Sequence, residues 1–96
     1  FLQIAGFKFS FSAAAAAGSR VTQVTLDGGK NVPSNDATEY TLVTNDFTSA
    51  GGDGYTMLIE PTPSPARDVL ADVVLGYVKA KSPIVTPASG RITALP

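Results

Sequence analysis

The sequence predicts an α+β fold in which one main packed helix, at about residues 66–81, accompanies a mostly antiparallel twisted sheet. Two observations support this class. Short segments rich in β-branched and aromatic residues recur through the first half of the 96-residue chain. One later segment carries apolar residues at helical spacing. The predicted order is β-β-β-loop-β-α-β, and the short connections favour antiparallel neighbours.

The first predicted strand lies within residues 1–11. Phenylalanines alternate with polar residues at Phe7, Phe9 and Phe11, which is the period of a strand with one buried face. These rings could also form a stacking platform for nucleic-acid bases. Only Lys8 is interleaved with them, however, and no wider basic groove accompanies it, so the pattern favours a core face.

Three further segments extend the predicted sheet. Residues 12–19, SAAAAAGS, offer no amphipathic face and predict a loop or a single helical turn. The β-rich segment RVTQVTL, residues 20–26, predicts the second strand and is followed by an Asp-Gly-Gly turn signal. The segment EYTLVTN, residues 39–45, predicts a third strand.

The second half of the chain contains shorter extended segments. Residues 55–60, YTMLIE, form an apolar run that predicts a strand or an extended segment. The sequence PTPSP, residues 61–65, predicts a turn, because proline cannot donate a ladder hydrogen bond. A last short strand is predicted at residues 91–95, after Gly90.

The helix prediction depends on apolar residues at helical spacing, namely Val69, Leu70, Val73, Val74, Tyr77 and Val78. Ser64 with Pro65, or alternatively Asp68, could cap the start of this helix. Pro83 is expected to end it, since proline cannot continue a helix.

The composition argues against several classes of protein. The formal net charge is −1, with no broad basic face for a phosphate backbone, so nucleic acid is not expected as a partner. The chain has no histidine and no cysteine, which argues against a zinc or di-metal centre and against an autonomous hydrolase. We therefore expect no catalytic residue, metal ligand or cofactor on this chain. No apolar run is long enough to span a bilayer, and no signal peptide is visible.

The start of the chain is unusual for a natural domain. It opens without Met in strand-like sequence, from Phe1 to Ile4. We therefore expect a processed chain or a fragment of a longer one. The length allows one small domain and no internal repeat is visible, so residues 1–96 are expected to form a single partial domain.

The segment NDFTSAGGDGY, residues 45–55, is the main candidate for a binding site. Its glycines, Gly52 among them, allow positive φ angles and close approach of a ligand. Asp53 presents a carboxylate that could accept hydrogen bonds from vicinal hydroxyls, and Phe47 could stack on a flat ligand from the end of a strand. Two other interpretations stay open: a tight turn with Phe47 in the core, and a calcium site that uses Asp46 and Asp53.

Five stretches of the chain resemble one known family, in the same order. They are FLQIAGFKFSFS, GSRVTQVTLDGG, YTLVTNDFTSAGGDGYTML, DVLADVVLGYVK and GRITALP. Together they resemble the second half of the C-terminal domain of the 5'-nucleotidase family, which includes UDP-sugar hydrolases, apyrases and ecto-5'-nucleotidases. The pattern N-x-F-x-x-x-G-G-D-G-[FY] is the most specific part of the resemblance.

The resemblance implies a substrate-binding role. By the motif, Phe47 resembles a ring that stacks on the nucleobase, and Asp53 resembles the carboxylate that binds the ribose hydroxyls. Asn45 and Gly52 match the same motif, and Asn45 is expected to help position the loop. The implied partners are a nucleotide or nucleoside and an N-terminal metallophosphoesterase domain, which would hold divalent metals and carry out hydrolysis. The implied location is extracellular, cell-surface or periplasmic.

The resemblance also implies what this chain lacks. In the family, the first stacking phenylalanine, and the arginine and asparagine residues that help hold the substrate, belong to the earlier half of the C-terminal domain. We therefore expect the chain alone to bind nucleoside feebly and to hydrolyse nothing. The alternative is a non-enzymatic processed fragment that acts as a structural or interaction module in a larger assembly, through exposed strand edges.

Overall fold

The parts of the chain that the computed structural model describes are residues 2–62, 65–86 and 90–96. The chain divides into two compact units, one made of residues 1–38 with 87–96 and the other of residues 39–86. The first unit holds a β-sheet, and the second holds the helices together with the 45–55 segment. That the chain forms a single partial domain stays a prediction.

The described residues of the first unit form a four-stranded sheet. Its strands are β1 at Phe7–Ser12, β2 at Val21–Leu26, β3 at Asn31–Val32 and β4 at Ile92–Leu95. The strand order is β3-β2-β1-β4, in which β2 pairs antiparallel with both β1 and β3, and β4 pairs parallel with β1. With one main helix in the second unit, this arrangement confirms the predicted α+β class and the mostly antiparallel sheet.

The hairpin of β1 and β2 is joined by the alanine-rich segment. Phe9 pairs with Val24 in its antiparallel register. Residues 13–19 form turns, in which the Ser19 amide donates to the Ala16 carbonyl at 3.0 Å. The predicted loop is therefore confirmed. Alanine favours a helix, but this short run has no apolar stripe that would stabilise one.

The three phenylalanines of β1 lie on one face of the sheet. The ring centroids of Phe7 and Phe9 are 6.5 Å apart, and those of Phe9 and Phe11 are 6.3 Å apart. The predicted alternation is correct, but the predicted burial is wrong, because all three side chains are only half-buried. Among the described residues, no hydrophobic side chain is fully buried. A chain of this size leaves a large share of its surface exposed, so the rings shield one another only in part.

The opposite face of the sheet is polar. Thr25 is buried there, and its hydroxyl donates to Asn31 Oδ1 at 2.9 Å. Gln23 Nε2 donates to the same oxygen at 3.2 Å. A buried hydroxyl without a partner would be destabilising, so these hydrogen bonds stabilise the short β3 strand beside β2.

The predicted third strand at residues 39–45 is wrong, because this segment forms neither a strand nor a helix. The third strand is β3 instead, which follows directly on the Asp-Gly-Gly turn. There the Leu26 amide donates to the Lys30 carbonyl at 2.9 Å and brings the chain back along β2. Pro33 then ends the pairing, since it has no N–H to donate. The β-branched residues of 39–45 favour an extended backbone, but a β-strand also needs a partner strand to pair with.

The main helix, α2, spans Leu70–Lys81. It begins later than the predicted start near residue 66. Val69 occupies the N-cap position and makes no side-chain hydrogen bond, so the predicted cap at Asp68 is wrong. The other predicted cap, Ser64, lies outside the described residues. The apolar repeat itself begins only at Val69, so an earlier start would add no apolar contact.

The end of α2 agrees with the prediction. The Ser82 hydroxyl donates to the Val78 carbonyl at 2.7 Å, and Pro83 follows the last turn. Within α2 the apolar stripe is exposed, from 39% at Val78 to 61% at Leu70 and Tyr77. That this stripe packs on a sheet stays a prediction. Within the described part of the chain, no helix has the length and apolar character needed to cross a membrane.

Gly28 and Gly29 form a matched pair for testing the turn between β2 and β3. An added Cβ would meet no atom within 4 Å at either position, but only Gly29 has a positive φ, of +85°. The left-handed region disfavours a side chain by about 1–2 kcal/mol, so Gly29→Ala should lower the free energy of unfolding by roughly this amount. Gly28→Ala should change it by less than about 0.5 kcal/mol. Urea unfolding followed by circular dichroism measures both, and equal losses would contradict the assigned role of φ.

Candidate functional site

Phe47 lies on a one-turn helix, α1, which spans Asp46–Ser49. Asn45 is its N-cap, and the Asn45 side-chain oxygen accepts a hydrogen bond from the Thr48 amide at 2.8 Å. The prediction that Phe47 sits at the end of a strand is therefore wrong. Asparagine before an acidic residue is a typical helix start, and this local signal overrides the β-rich sequence that precedes it.

The Phe47 ring lies against the backbone of Gly52. A Cβ atom placed on Gly52 would lie only 2.6 Å from both Cδ1 and Cζ of Phe47, far inside van der Waals contact. The Phe47 side chain is nevertheless 59% exposed. The interpretation of Phe47 as a core residue is therefore wrong. The ring is supported by main chain on one side and keeps much of its surface open to solvent.

Asp53 lies in a tight 3-10 turn, Gly52–Gly54, that directly follows the ring contact. The turn is closed by a hydrogen bond from the Tyr55 amide to the Gly52 carbonyl, at 3.1 Å. Asp53 itself adopts left-handed angles, with φ 54° and ψ 24°, a region that aspartate tolerates better than most residues. Its side chain is exposed, so the turn presents the carboxylate to solvent.

The predicted extended segment at residues 55–60 is wrong over most of its length. A second 3-10 turn occupies Thr56–Leu58, and Ile59, which follows it, has extended angles. The Leu58 amide donates to the Tyr55 carbonyl at 3.0 Å. Hydrogen bonds between residues three apart thus satisfy the backbone locally, without a partner strand.

The geometry suits a flat ligand that carries adjacent hydroxyl groups. An exposed aromatic ring offers a stacking surface, and the exposed carboxylate of Asp53 offers two hydrogen-bond acceptors. The two groups are linked by a single residue, because Phe47 lies on Gly52 and Gly52 precedes Asp53. Ring and carboxylate are therefore close along the backbone, and both are exposed to solvent.

The calcium interpretation finds no geometric support in the described residues. Across them, no group of three acidic side chains comes close enough to hold a metal ion. The Asp46 carboxylate instead accepts a hydrogen bond from the Phe47 amide at 2.8 Å, within α1. The sequence pattern indicates Asp46 only as a possible metal ligand. An acidic residue at the first position of a helix is also a stabilising signal, and this is the role that the structure gives it.

Thr48 was missed by the sequence reasoning. It is 3% exposed, the lowest value among the described residues, although its neighbours are open to solvent. Its amide is the donor that the Asn45 cap satisfies. The usable signal was Asn45 itself, since an N-cap side chain accepts from the backbone amide of the third helical position, which here is Thr48.

Comparison with known proteins gives a family match. The model of the 5'-nucleotidase C-terminal domain matches residues 1–60, which include both the β1–β2 hairpin and the whole 45–55 segment. No solved structure matches significantly.

Several curated proteins are similar to the chain. A 5'-nucleotidase-related protein of Glossina morsitans morsitans is 32% identical over 103 residues that cover 99% of this chain. An apyrase of Tabanus yao is 31% identical over 99 residues and 95% of this chain. The trifunctional nucleotide phosphoesterase protein YfkN of Bacillus subtilis is 37% identical over 62 residues and 62% of this chain.

The chain spans only a small part of each of these relatives. It corresponds to 18% of the length of the Glossina and Tabanus proteins and to 4% of the Bacillus protein. The similarity therefore concerns one portion of each relative.

Replacing Asn45 by Ala should open the first turn of α1, because the Thr48 amide loses its acceptor. Loss of an N-cap costs about 1 kcal/mol, which corresponds to roughly fivefold faster hydrogen exchange at the Thr48 amide. Asn45→Asp keeps a side-chain oxygen at the cap and should keep the slow exchange. Nuclear magnetic resonance measures these rates, and equal exchange in the two variants would show that the cap does not hold the turn.

Replacing Gly52 by Ala should displace the Phe47 ring, because the new Cβ would occupy the space that the ring fills. The measurement is the nuclear Overhauser contact between Phe47 ring protons and residue 52, which should weaken or vanish. Gly54→Ala is the control, since a Cβ there would meet nothing within 4 Å although the backbone φ is +82°. An unchanged ring contact in the Gly52 variant would contradict the described packing.

Proposed function

Because this chain belongs to the 5'-nucleotidase C-terminal domain family, we propose that it is a substrate-binding portion of a 5'-nucleotidase-type phosphohydrolase. In this proposal Phe47 stacks on the nucleobase and Asp53 accepts hydrogen bonds from the ribose hydroxyls. Asn45 and Gly52 position these two groups. The ligand class is a nucleoside or a nucleoside 5'-monophosphate.

The observation that carries this proposal is the exposed Phe47 ring seated on Gly52, one residue before Asp53. Aromatic side chains are normally shielded from water, so a ring that is 59% exposed and backed by main chain is available to a flat partner. The left-handed Asp53 adds a second argument, since unusual backbone angles concentrate where a side chain must be presented.

The affinity of this surface alone is expected to be low. Stacking of one base contributes about 1–3 kcal/mol. A hydrogen bond to a charged carboxylate contributes about 1.5–3 kcal/mol. Their sum, about 2.5–6 kcal/mol, corresponds to dissociation constants between roughly 10 mM and 40 μM, before the entropy cost of association weakens the binding further. Tight binding therefore requires a second wall opposite Phe47, which we place in residues outside this chain.

Hydrolysis is proposed to lie outside this chain as well. The chain contains neither histidine nor cysteine, and its described residues bring no three acidic side chains together, so its donor set does not fit a divalent metal centre. In the proposal, an N-terminal metallophosphoesterase domain holds the metals, which supply an activated water. We propose an extracellular, cell-surface or periplasmic location for the same protein.

The proposal is tested with Phe47→Ala and Asp53→Ala in the natural polypeptide that carries this chain. Each change should lower kcat/KM for a nucleoside 5'-monophosphate by about ten- to a hundredfold, because each removes one ligand contact. Met57→Ala is a matched control for the ring, since Met57 is 74% exposed in the 3-10 turn that directly follows the 45–55 segment. Asp68→Ala is the control for the carboxylate, because Asp68 is an exposed acid outside the segment.

A phosphate ester without a base or ribose separates binding from catalysis. Its hydrolysis should be unaffected by the Phe47 and Asp53 changes, because neither residue contacts the phosphate in the proposal. If neither change affects the nucleotide reaction, the site assignment is wrong. If the natural polypeptide has no phosphohydrolase activity and is instead stoichiometric with unrelated subunits, the structural or interaction module is the correct reading.

A further inference from the structure

Ile59 makes a contact with the 45–55 segment that the motif does not include. A Cβ atom placed on Gly51 would lie 2.8 Å from Ile59 Cδ1 and 3.2 Å from Ile59 Cγ1. The Ile59 side chain therefore fills the space left by the missing side chain of Gly51. Gly51 has φ +88°, a conformation that residues with a Cβ rarely adopt, so the backbone and the packing both require glycine there.

The two consecutive glycines Gly51 and Gly52 are thus each in contact with a side chain, one from earlier and one from later in the sequence. Phe47, which precedes them, lies on Gly52, and Ile59, which follows them, lies on Gly51. The two contacts lie at neighbouring Cα atoms, about 3.8 Å apart, so a displacement of Gly51 would displace Gly52 as well. The position of the Phe47 ring relative to Asp53 therefore depends on where Ile59 holds Gly51.

Hydrogen bonds fix the backbone of both Ile59 and Gly51. Its amide donates to the Thr56 carbonyl at 3.2 Å, which ties it to the preceding 3-10 turn. Gly51 is tied to α1 by a hydrogen bond from its own amide to the Thr48 carbonyl at 3.0 Å. Ile59 is branched at Cβ and so has few accessible rotamers, which makes it a stiff support. It is also 55% exposed, so its burial is too small for an ordinary core role.

We infer that Ile59 is a positioning residue for nucleoside recognition, acting through Gly51 on Phe47 and Asp53 without touching the ligand. The inference rests on the proposed function for its ligand, and on the glycine contacts for its geometry. Its expected signature is a defect in binding of the nucleoside portion of the substrate. The rate of the chemical step should be preserved.

The test compares Ile59→Ala with the control Met57→Ala in the natural polypeptide that carries this chain. Ile59→Ala should raise KM for a nucleoside 5'-monophosphate by about three- to tenfold, since a displaced ring forfeits part of its stacking. The value of kcat, and the hydrolysis of a phosphate ester without a base, should change by less than about twofold. Ile59→Val keeps the branched Cβ and should restore most of the KM. Met57→Ala should behave as the unmodified protein.

A second readout separates this inference from the proposed function. The Gly52 α-proton that takes the place of a Cβ points at the Phe47 ring and should show a ring-current shift, which Ile59→Ala should reduce and Met57→Ala should not. If Phe47→Ala raises KM but Ile59→Ala changes neither KM nor the shift, the inference about Ile59 is overturned and the proposed function stands. If Ile59→Ala impairs both substrates equally, Ile59 is a stability residue only, and the inference is likewise overturned. If Phe47→Ala leaves KM unchanged, the proposed function fails, and an unreduced shift would then refute the positioning role as well.

Discussion

The packing of the Phe47 ring on the bare backbone of Gly52 is the contact on which the geometry of the 45–59 segment depends. No other residue type at position 52 leaves room for the ring, because even one methyl group would overlap it. The contact fixes one face of the ring against main chain and leaves the other available. Since Asp53 is the next residue, the same contact lies at the start of the 3-10 turn that carries its carboxylate. A preorganised ring and acceptor lose less entropy on binding than mobile ones.

The parts of the fold that the sequence predicted well are those whose signals are local and self-consistent. In β1 and β2, alternating or β-branched residues flank segments that cannot form a stable helix, and a glycine turn follows. In α2, apolar spacing and a terminal proline agree. The strand predictions for residues 39–45 and 55–60 were wrong, because a β-rich composition does not show whether a partner strand is present. In 55–60, local 3-10 hydrogen bonds satisfied the backbone instead.

For the candidate site, the sequence predicted which residues belong to it but not how they are arranged in space. The order of Phe47, Gly52 and Asp53 could be read directly, since a motif is a statement about sequence. Their spatial relation could not, because Phe47 and Gly52 are joined by a helical turn followed by a left-handed residue, whose combined path no periodicity describes. The Ile59 contact was hidden for the same reason. Asn45 was readable in principle, as an N-cap signal, but the preceding β-rich residues favoured a strand there.

The contacts that shape residues 45–59 are local in sequence. Thr48 is buried within the capped helical turn α1, and both glycine contacts join residues no more than eight apart. Contacts over such short separations close small loops and so lose little chain entropy on forming. In the proposed site this gives Phe47 and Asp53 a defined geometry that the 45–59 segment maintains by itself. The affinity is nevertheless limited, because only the free face of the Phe47 ring can stack, and it covers only one side of a base. A second flat surface, supplied from outside the segment, is therefore what would convert weak recognition into useful binding.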